Sequence, residues 1–178
     1  MMRRFLDSLY AAAAGLAALS LLSIFLVMMA QVVLREMRMQ FPAADDITAY
    51  LCVATTFFAL AATFRRGEII RVNLVIQRVG PGLRRAMETL VLILAGGMMA
   101  YITFWTAQDT LFSWEIQEVA QGTVPIPLWI PKLAMPIGSA LLLVAVLDEL
   151  VTVLRGGKPG YAIAADQRAA ANDYSAEV

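Results

Sequence analysis

The chain is 178 residues long, 60% apolar and formally neutral, with 14 basic and 14 acidic residues. An ordinary soluble domain is about 45 to 50% apolar, so a chain of this length with a mean hydropathy of +0.70 has more apolar surface than its own core can hide. That excludes a soluble globular domain and makes lipid the solvent for most side chains.

One cysteine, Cys52, and no histidine leave no intrachain disulfide, no His-containing metal site and no Ser/His or Cys/His pair. A phosphate-cradling Gly-Lys-Ser/Thr loop is also missing, so no cofactor, no catalytic residue and no nucleic-acid partner is expected.

Charge-free windows run over Ser8–Leu34, Ile47–Phe64, Thr89–Gln108 and Leu133–Leu147. The first follows Arg3 and Arg4, as a secretory signal would, but a signal's apolar region is only ~7 to 15 residues. At ~1.5 Å per residue this one makes a helix of about 40 Å, and it reads as a retained, tilted span over 8–34. A second span is predicted over 47–64, with Asp45 and Asp46 at its mouth.

Residues 66–82 are predicted to form an interfacial arm. Ile69, Val72, Ile76 and Val79 share one helical face, Glu68, Arg71 and Arg78 the opposite one, and Asn73 interrupts the apolar side. Gly80, Pro81 and Gly82 are expected to break this helix before a third span over 86–108. No proline occurs between Leu83 and Val124, so the third helix is expected to project beyond the membrane through Trp114 and Glu118. Gly96 and Gly97 permit close helix approach, although two adjacent glycines lack the four-residue spacing of the known dimer motif.

A proline-rich stretch, Pro125 to Pro136, is stiff because each proline fixes φ. The fourth span is predicted over 133–154, stopped by Gly156, Gly157 and Pro159, with Asp148 and Glu149 near enough to its end to reach interfacial water. The reading is an all-α membrane protein: one four-helix transmembrane domain over 1–155 and a mobile, alanine-rich tail over 156–178.

Orientation follows from the basic residues. Eleven lie before the first span, between the second and third, or after the fourth, against three (Arg35, Arg38 and Lys132) in the other connections. The positive-inside rule places both termini and the central loop in the cytoplasm. Trp105, Trp114 and Trp129 then fall at or beyond the outer interface, where amphipathic rings anchor.

No charged residue lies well inside the first three spans, whereas ion-coupled carriers bury acidic or basic groups at mid-membrane. The chain is therefore not expected to transport alone. Asp45 and Asp46 either cap the second helix and favour its dipole or contact an extracytoplasmic partner. The arginines of the central loop, Arg65 and Arg66 among them, fit a topology determinant resting on anionic lipid headgroups.

Three stretches in order resemble the small membrane subunit of tripartite ATP-independent periplasmic (TRAP) transporters. They are Asp45-Asp46 with an aromatic-rich span ending in Phe64-Arg65-Arg66-Gly67-Glu68-Ile69-Ile70-Arg71-Val72-Asn73, the basic amphipathic loop, and Gly122-Thr123-Val124-Pro125-Ile126-Pro127-Leu128-Trp129-Ile130-Pro131 leading to Met135-Pro136-Ile137-Gly138. The resemblance covers roughly residues 5 to 155, with departures: the family commonly has His at the position of Ile69 and Asp at that of Asn73, and often Glu for the outer acids.

It implies a bacterial inner-membrane importer of organic acids such as dicarboxylates or sugar acids. A periplasmic substrate-binding protein would deliver substrate to a large elevator-type membrane subunit driven by a sodium gradient. The small subunit would be its non-catalytic brace, touching the large subunit, membrane lipids and the binding protein. Expected contacts are Asp45, Asp46, Arg65, Arg66, Glu68, Arg71, Val72, Ile76, Pro127, Trp129, Pro131, Pro136 and Gly138. The alternative is a structural or assembly membrane protein unrelated to transport.

Overall fold

The computed structural model describes residues 2–66, 81–122 and 124–157. Within them the chain forms α1 (Met2–Glu36), α2 (Ala44–Arg66), α3 (Pro81–Glu115), the single turn α4 (Trp129–Lys132) and α5 (Ala134–Leu154). Four stretches are long and apolar enough to cross a membrane: Ser8–Glu36, Ala44–Arg65, Arg85–Glu115 and Trp129–Leu154. Among the described residues the one β-type contact is an isolated antiparallel bridge between Val119 and Pro127.

Most of the expected arm lies outside the described residues, Glu68, Arg71, Val72 and Ile76 with it, as does the tail from Lys158. At its edges, Arg66 is the last residue of α2, and Pro81 and Gly82 are the first two residues of α3. Proline is well tolerated in a first helical turn, where its missing N–H has no intrahelical acceptor to lose.

Side-chain and backbone contacts fix the directions of the helices. Arg65 of α2 lies over the Tyr10 ring near the start of α1, and Gln31 near the end of α1 meets Asp45 at the start of α2, so these two run antiparallel. Arg85 of α3 reaches the last carbonyls of α5 and Asp109 of α3 reaches Lys132, so α3 and α5 are also antiparallel. Arg65 pairs with Asp148, and the backbone of Phe57 abuts Gly138, so α2 and α5 lie side by side and run the same way. The main packing order is therefore α1, α2, α5, α3, two helical hairpins joined through their second helices.

The hairpins are built alike. Both α1 and α3 have 35 residues. Each ends with a left-handed residue, Arg38 (φ 57°) and Gln117 (φ 51°) respectively. In each, the amide after that residue bonds back five positions: Met39 N–H to the Leu34 carbonyl (2.9 Å) and Glu118 N–H to the Ser113 carbonyl (2.9 Å). α5 closes the same way, with Gly156 at φ 83° and Gly157 N–H on the Thr152 carbonyl at 3.0 Å. This capping pattern satisfies carbonyls that a helix end leaves orphaned. It also explains why α3 stops at Glu115, short of the expected Glu118.

Packing is through small side chains: eight of the fourteen buried apolar residues among those described are alanines. With lipid outside, helices gain little by burying large apolar groups against each other and more by close approach. Large residues instead lie outward, as with Leu19, Leu22 and Phe25 of α1 and Leu94, Met98, Tyr101 and Trp105 of α3. Exposing each such side chain to water would forgo about 1.5 to 3 kcal/mol. Most of the Ser and Thr hydroxyls on these helices donate to the carbonyl four residues back, among them Ser23, Thr55, Thr63 and Thr103 at 2.8 to 2.9 Å, so they need no water. The main core, Tyr10, Ala61, Phe64, Leu92, Leu142, Ala145, Val146 and Val153, gathers toward the end holding both described termini.

Candidate partner interface

At the end where α1 and α3 terminate, a rim is assembled from three connections. The α1–α2 turn includes Ala43 at φ 64°, and α2 begins at Ala44, three residues before the predicted start. Asp45 and Asp46 therefore occupy its first turn, where carboxylates favour the helix dipole. Both have further roles within the chain. Asp45 Oδ1 accepts from Gln31 Nε2 at 3.1 Å, tying α2 to α1. Asp46 presses against Gly122, where a Cβ would collide with its carboxylate, so glycine lets the α3–α4 loop close over the start of α2. Between them opens a cleft of about 500 Å³ that Arg35, Met39 and Phe41 also line.

The second part of the rim is an ionic cluster that the sequence reading missed. Lys132 Nζ sits 3.0 Å from Asp109 Oδ2 and 2.9 Å from Glu118 Oε2, and Ser113 Oγ donates to the same Glu118 oxygen at 2.6 Å. The Ser113 hydroxyl, and after it the Lys132 ammonium, hold the Glu118 carboxyl below its ordinary pKa. The cluster spans the base of a loop closed by Ala120 N–H to the Ile126 carbonyl (2.8 Å) and Leu128 N–H to the Glu118 carbonyl (2.9 Å). Lys132 stood out as the lone basic residue of its connection, but three acids, Asp109, Glu115 and Glu118, precede it in sequence, and only the fold selects Asp109 and Glu118.

The expected contact residues divide accordingly. Pro127 sits exposed in the bridge with Val119, and Trp129 starts α4 with its ring 6.5 Å from that of Trp114. Pro131 lies in α4 and Pro136 in the first turn of α5. Gly138 is no rim residue: it is buried, packed on the Phe57 backbone. Gly96 makes only ordinary contact with Val146 and Leu147, and Gly97 faces open space.

At the opposite end Arg65 Nη1 pairs with Asp148 Oδ2 at 2.8 Å, each about a quarter exposed, and its guanidinium lies 5.5 Å from the Tyr10 ring centroid. Asp148 is thus held by α2 while keeping about a quarter of its surface exposed, whereas Glu149, expected with it to reach water, is 3% exposed within the packed helices. Arg85 Nη2 donates to the Val153 and Leu154 carbonyls, both at 3.0 Å, capping α5 from its neighbour.

A family model described as tripartite ATP-independent periplasmic transporters, DctQ component, matches residues 24–156 of the 178. The chain belongs to the DctQ family. No curated protein matches it. The match runs from the middle of α1 to the end of α5, so both the rim and the Arg65–Asp148 pair lie within it. This DctQ protein is a multi-pass membrane component of a tripartite transporter.

Proposed function

We propose that this DctQ chain is the non-catalytic scaffold of a secondary-active, binding-protein-dependent importer of organic acids, bracing a large elevator-type membrane subunit in the bacterial inner membrane. What supports this reading most is where the ion pairs among the described residues lie. Arg65–Asp148 and Lys132–Asp109–Glu118 stand at the two ends of the helices and tie helix to helix or helix to loop. Charges bound in fixed pairs at the ends suit a rigid frame, whereas an ion carrier needs exchangeable charge along its path. A transport domain can translate across the bilayer only if something beside it resists the motion, and a row of helices with wide apolar faces widens that support in the membrane plane.

The basic residues favour an orientation with both termini cytoplasmic and the rim outside, where a binding protein would dock. The substrate class, dicarboxylates or sugar acids, comes from the family resemblance alone.

Reconstitution tests the scaffold role. The chain alone should give no sodium-dependent uptake of an organic acid, and uptake should require the large subunit and the binding protein together; uptake by this chain alone would refute it. Docking is tested by Asp45→Asn with Asp46→Asn, which keeps helix-start hydrogen bonding but removes charge. A several-fold rise in the half-saturating binding-protein concentration at normal membrane levels is expected, and unchanged uptake would confine the two acids to intramolecular roles.

A further inference from the structure

The first third of α3 has a groove of about 600 Å³ along one helical face. Its chemistry is graded. Arg85 stands near one end with Gly82 and Ala86, while Leu90, Ile93 and Leu94 line the other. Arg85 to Leu94 is about 14 Å at ~1.5 Å per residue, close to the ~15 Å half-thickness of a hydrocarbon core. Among the described residues nothing lies within 4 Å of where a Gly82 Cβ would be, which leaves space for a bulky group at the charged end.

The cation is fixed in place. Both N–H groups of Arg85 Nη2 are accounted for by the Val153 and Leu154 carbonyls, which immobilise the side chain. A guanidinium has five N–H donors, so Nε and Nη1 retain three that these bonds do not use. An immobilised fork of donors at the head of an open, largely apolar groove suits a phosphate, which such a fork binds well, continuous with an acyl chain.

We infer that this groove is a binding site for a single anionic glycerophospholipid, its phosphate on Arg85 and one acyl chain along Leu90, Ile93 and Leu94. The bound lipid extends the surface of α3 and shares the cation that caps α5, so it joins the third and fourth spans at that interface. Free phosphate lacks the chain that fills the groove and is not retained.

The test uses the full chain in nanodiscs of mixed phosphatidylglycerol and phosphatidylcholine, released into the gas phase for native mass spectrometry. One phosphatidylglycerol adduct should persist in preference to phosphatidylcholine. Ala86→Trp, which fills the groove and leaves Arg85 in place, should lose that adduct without lowering the detergent melting temperature. Arg85→Gln should cut the preference about fivefold, equivalent to ~1 kcal/mol for one cation at headgroup depth. Equal retention of both lipids by the wild type, or an undiminished adduct in Ala86→Trp, would overturn the assignment. So would an Ala86→Trp protein that keeps the lipid but no longer co-purifies with the large membrane subunit, because the groove would then hold protein.

Discussion

Gly138 of α5 is packed so closely on Phe57 of α2 that a Cβ there would stand 2.5 Å from the Phe57 carbonyl oxygen and 2.6 Å from its carbonyl carbon. The obstruction is backbone, which no rotamer change relieves. Gly138→Ala should therefore force α2 and α5 apart at the centre of the row, costing about 1 to 3 kcal/mol and lowering the melting temperature in detergent. Gly97→Ala is the control. Its Cβ meets nothing within 4 Å, and alanine gains up to ~1 kcal/mol of helix propensity. Similar melting temperatures for the two variants would show that the helices adjust freely and that the close approach is incidental.

Lys132→Met tests the ionic clasp at the rim. Its partners are partly exposed, and such pairs contribute at most ~1 kcal/mol, so global stability should hardly change. The effect should be local: faster hydrogen exchange at the Ala120 and Leu128 amides, whose bonds close the loop. The pH dependence has a definite sign. Glu118 has a lowered pKa in the folded chain, so its contribution is complete above the ordinary carboxylate range and is lost as pH falls through the lowered value. Protection of these amides in the wild type should stay constant from neutral to mildly acidic pH; loss beginning near neutrality would contradict the clasp.

How far the sequence discloses this arrangement depends on the range of the interaction. The four apolar runs are visible because each is a continuous local property, and the stop after α5 is visible because Gly156 and Gly157 sit next to each other. The helix starts and ends were less legible. Arg38 and Gln117 adopt the left-handed cap without being glycine, so no residue type marked those ends. Contacts across the row were not legible at all. Asp148 showed no partner in sequence because Arg65 is 83 positions away, and Gly138 looked like a contact residue at the start of the fourth span because the backbone it touches belongs to another helix. Asp45 and Asp46 were recognised as helix-start acids, but Gln31 and Gly122, which give them their further contacts, come from α1 and from the loop after α3.

The Arg65–Asp148 pair joins the two hairpins near the end of α2, where Arg65 also covers the Tyr10 ring. Removing either charge deletes an ion pair between two partly buried groups, at about 1 to 2 kcal/mol. The double charge swap, Arg65→Asp with Asp148→Arg, should recover part of that loss, although the cation–π contact, worth ~0.5 to 1 kcal/mol, is not restored. Melting temperatures of the four proteins form a double-mutant cycle, expected to show a coupling of about 0.5 to 1 kcal/mol. Strictly additive losses would mean the pair does not connect the hairpins energetically.

The orientation proposed for the chain is testable on α3. At ~1.5 Å per residue its 35 residues extend about 52 Å, well beyond a hydrocarbon core of ~30 Å, so positions just inside its start and just past its end both emerge from the bilayer. Gly82 is exposed among the described residues at one end, and Gln121 is exposed in the rim loop at the other. Cys52 is exposed on α2 and would be replaced by serine first. In intact cells, Gln121→Cys should then react with an impermeant maleimide, while Gly82→Cys should react only after the membrane is permeabilised. The expectation rests on eleven basic residues against three, an asymmetry that several arginines would have to overcome to be reversed. Labelling of Gly82→Cys alone in intact cells would put the rim in the cytoplasm, where no periplasmic protein can reach Asp45, Asp46 or Trp129.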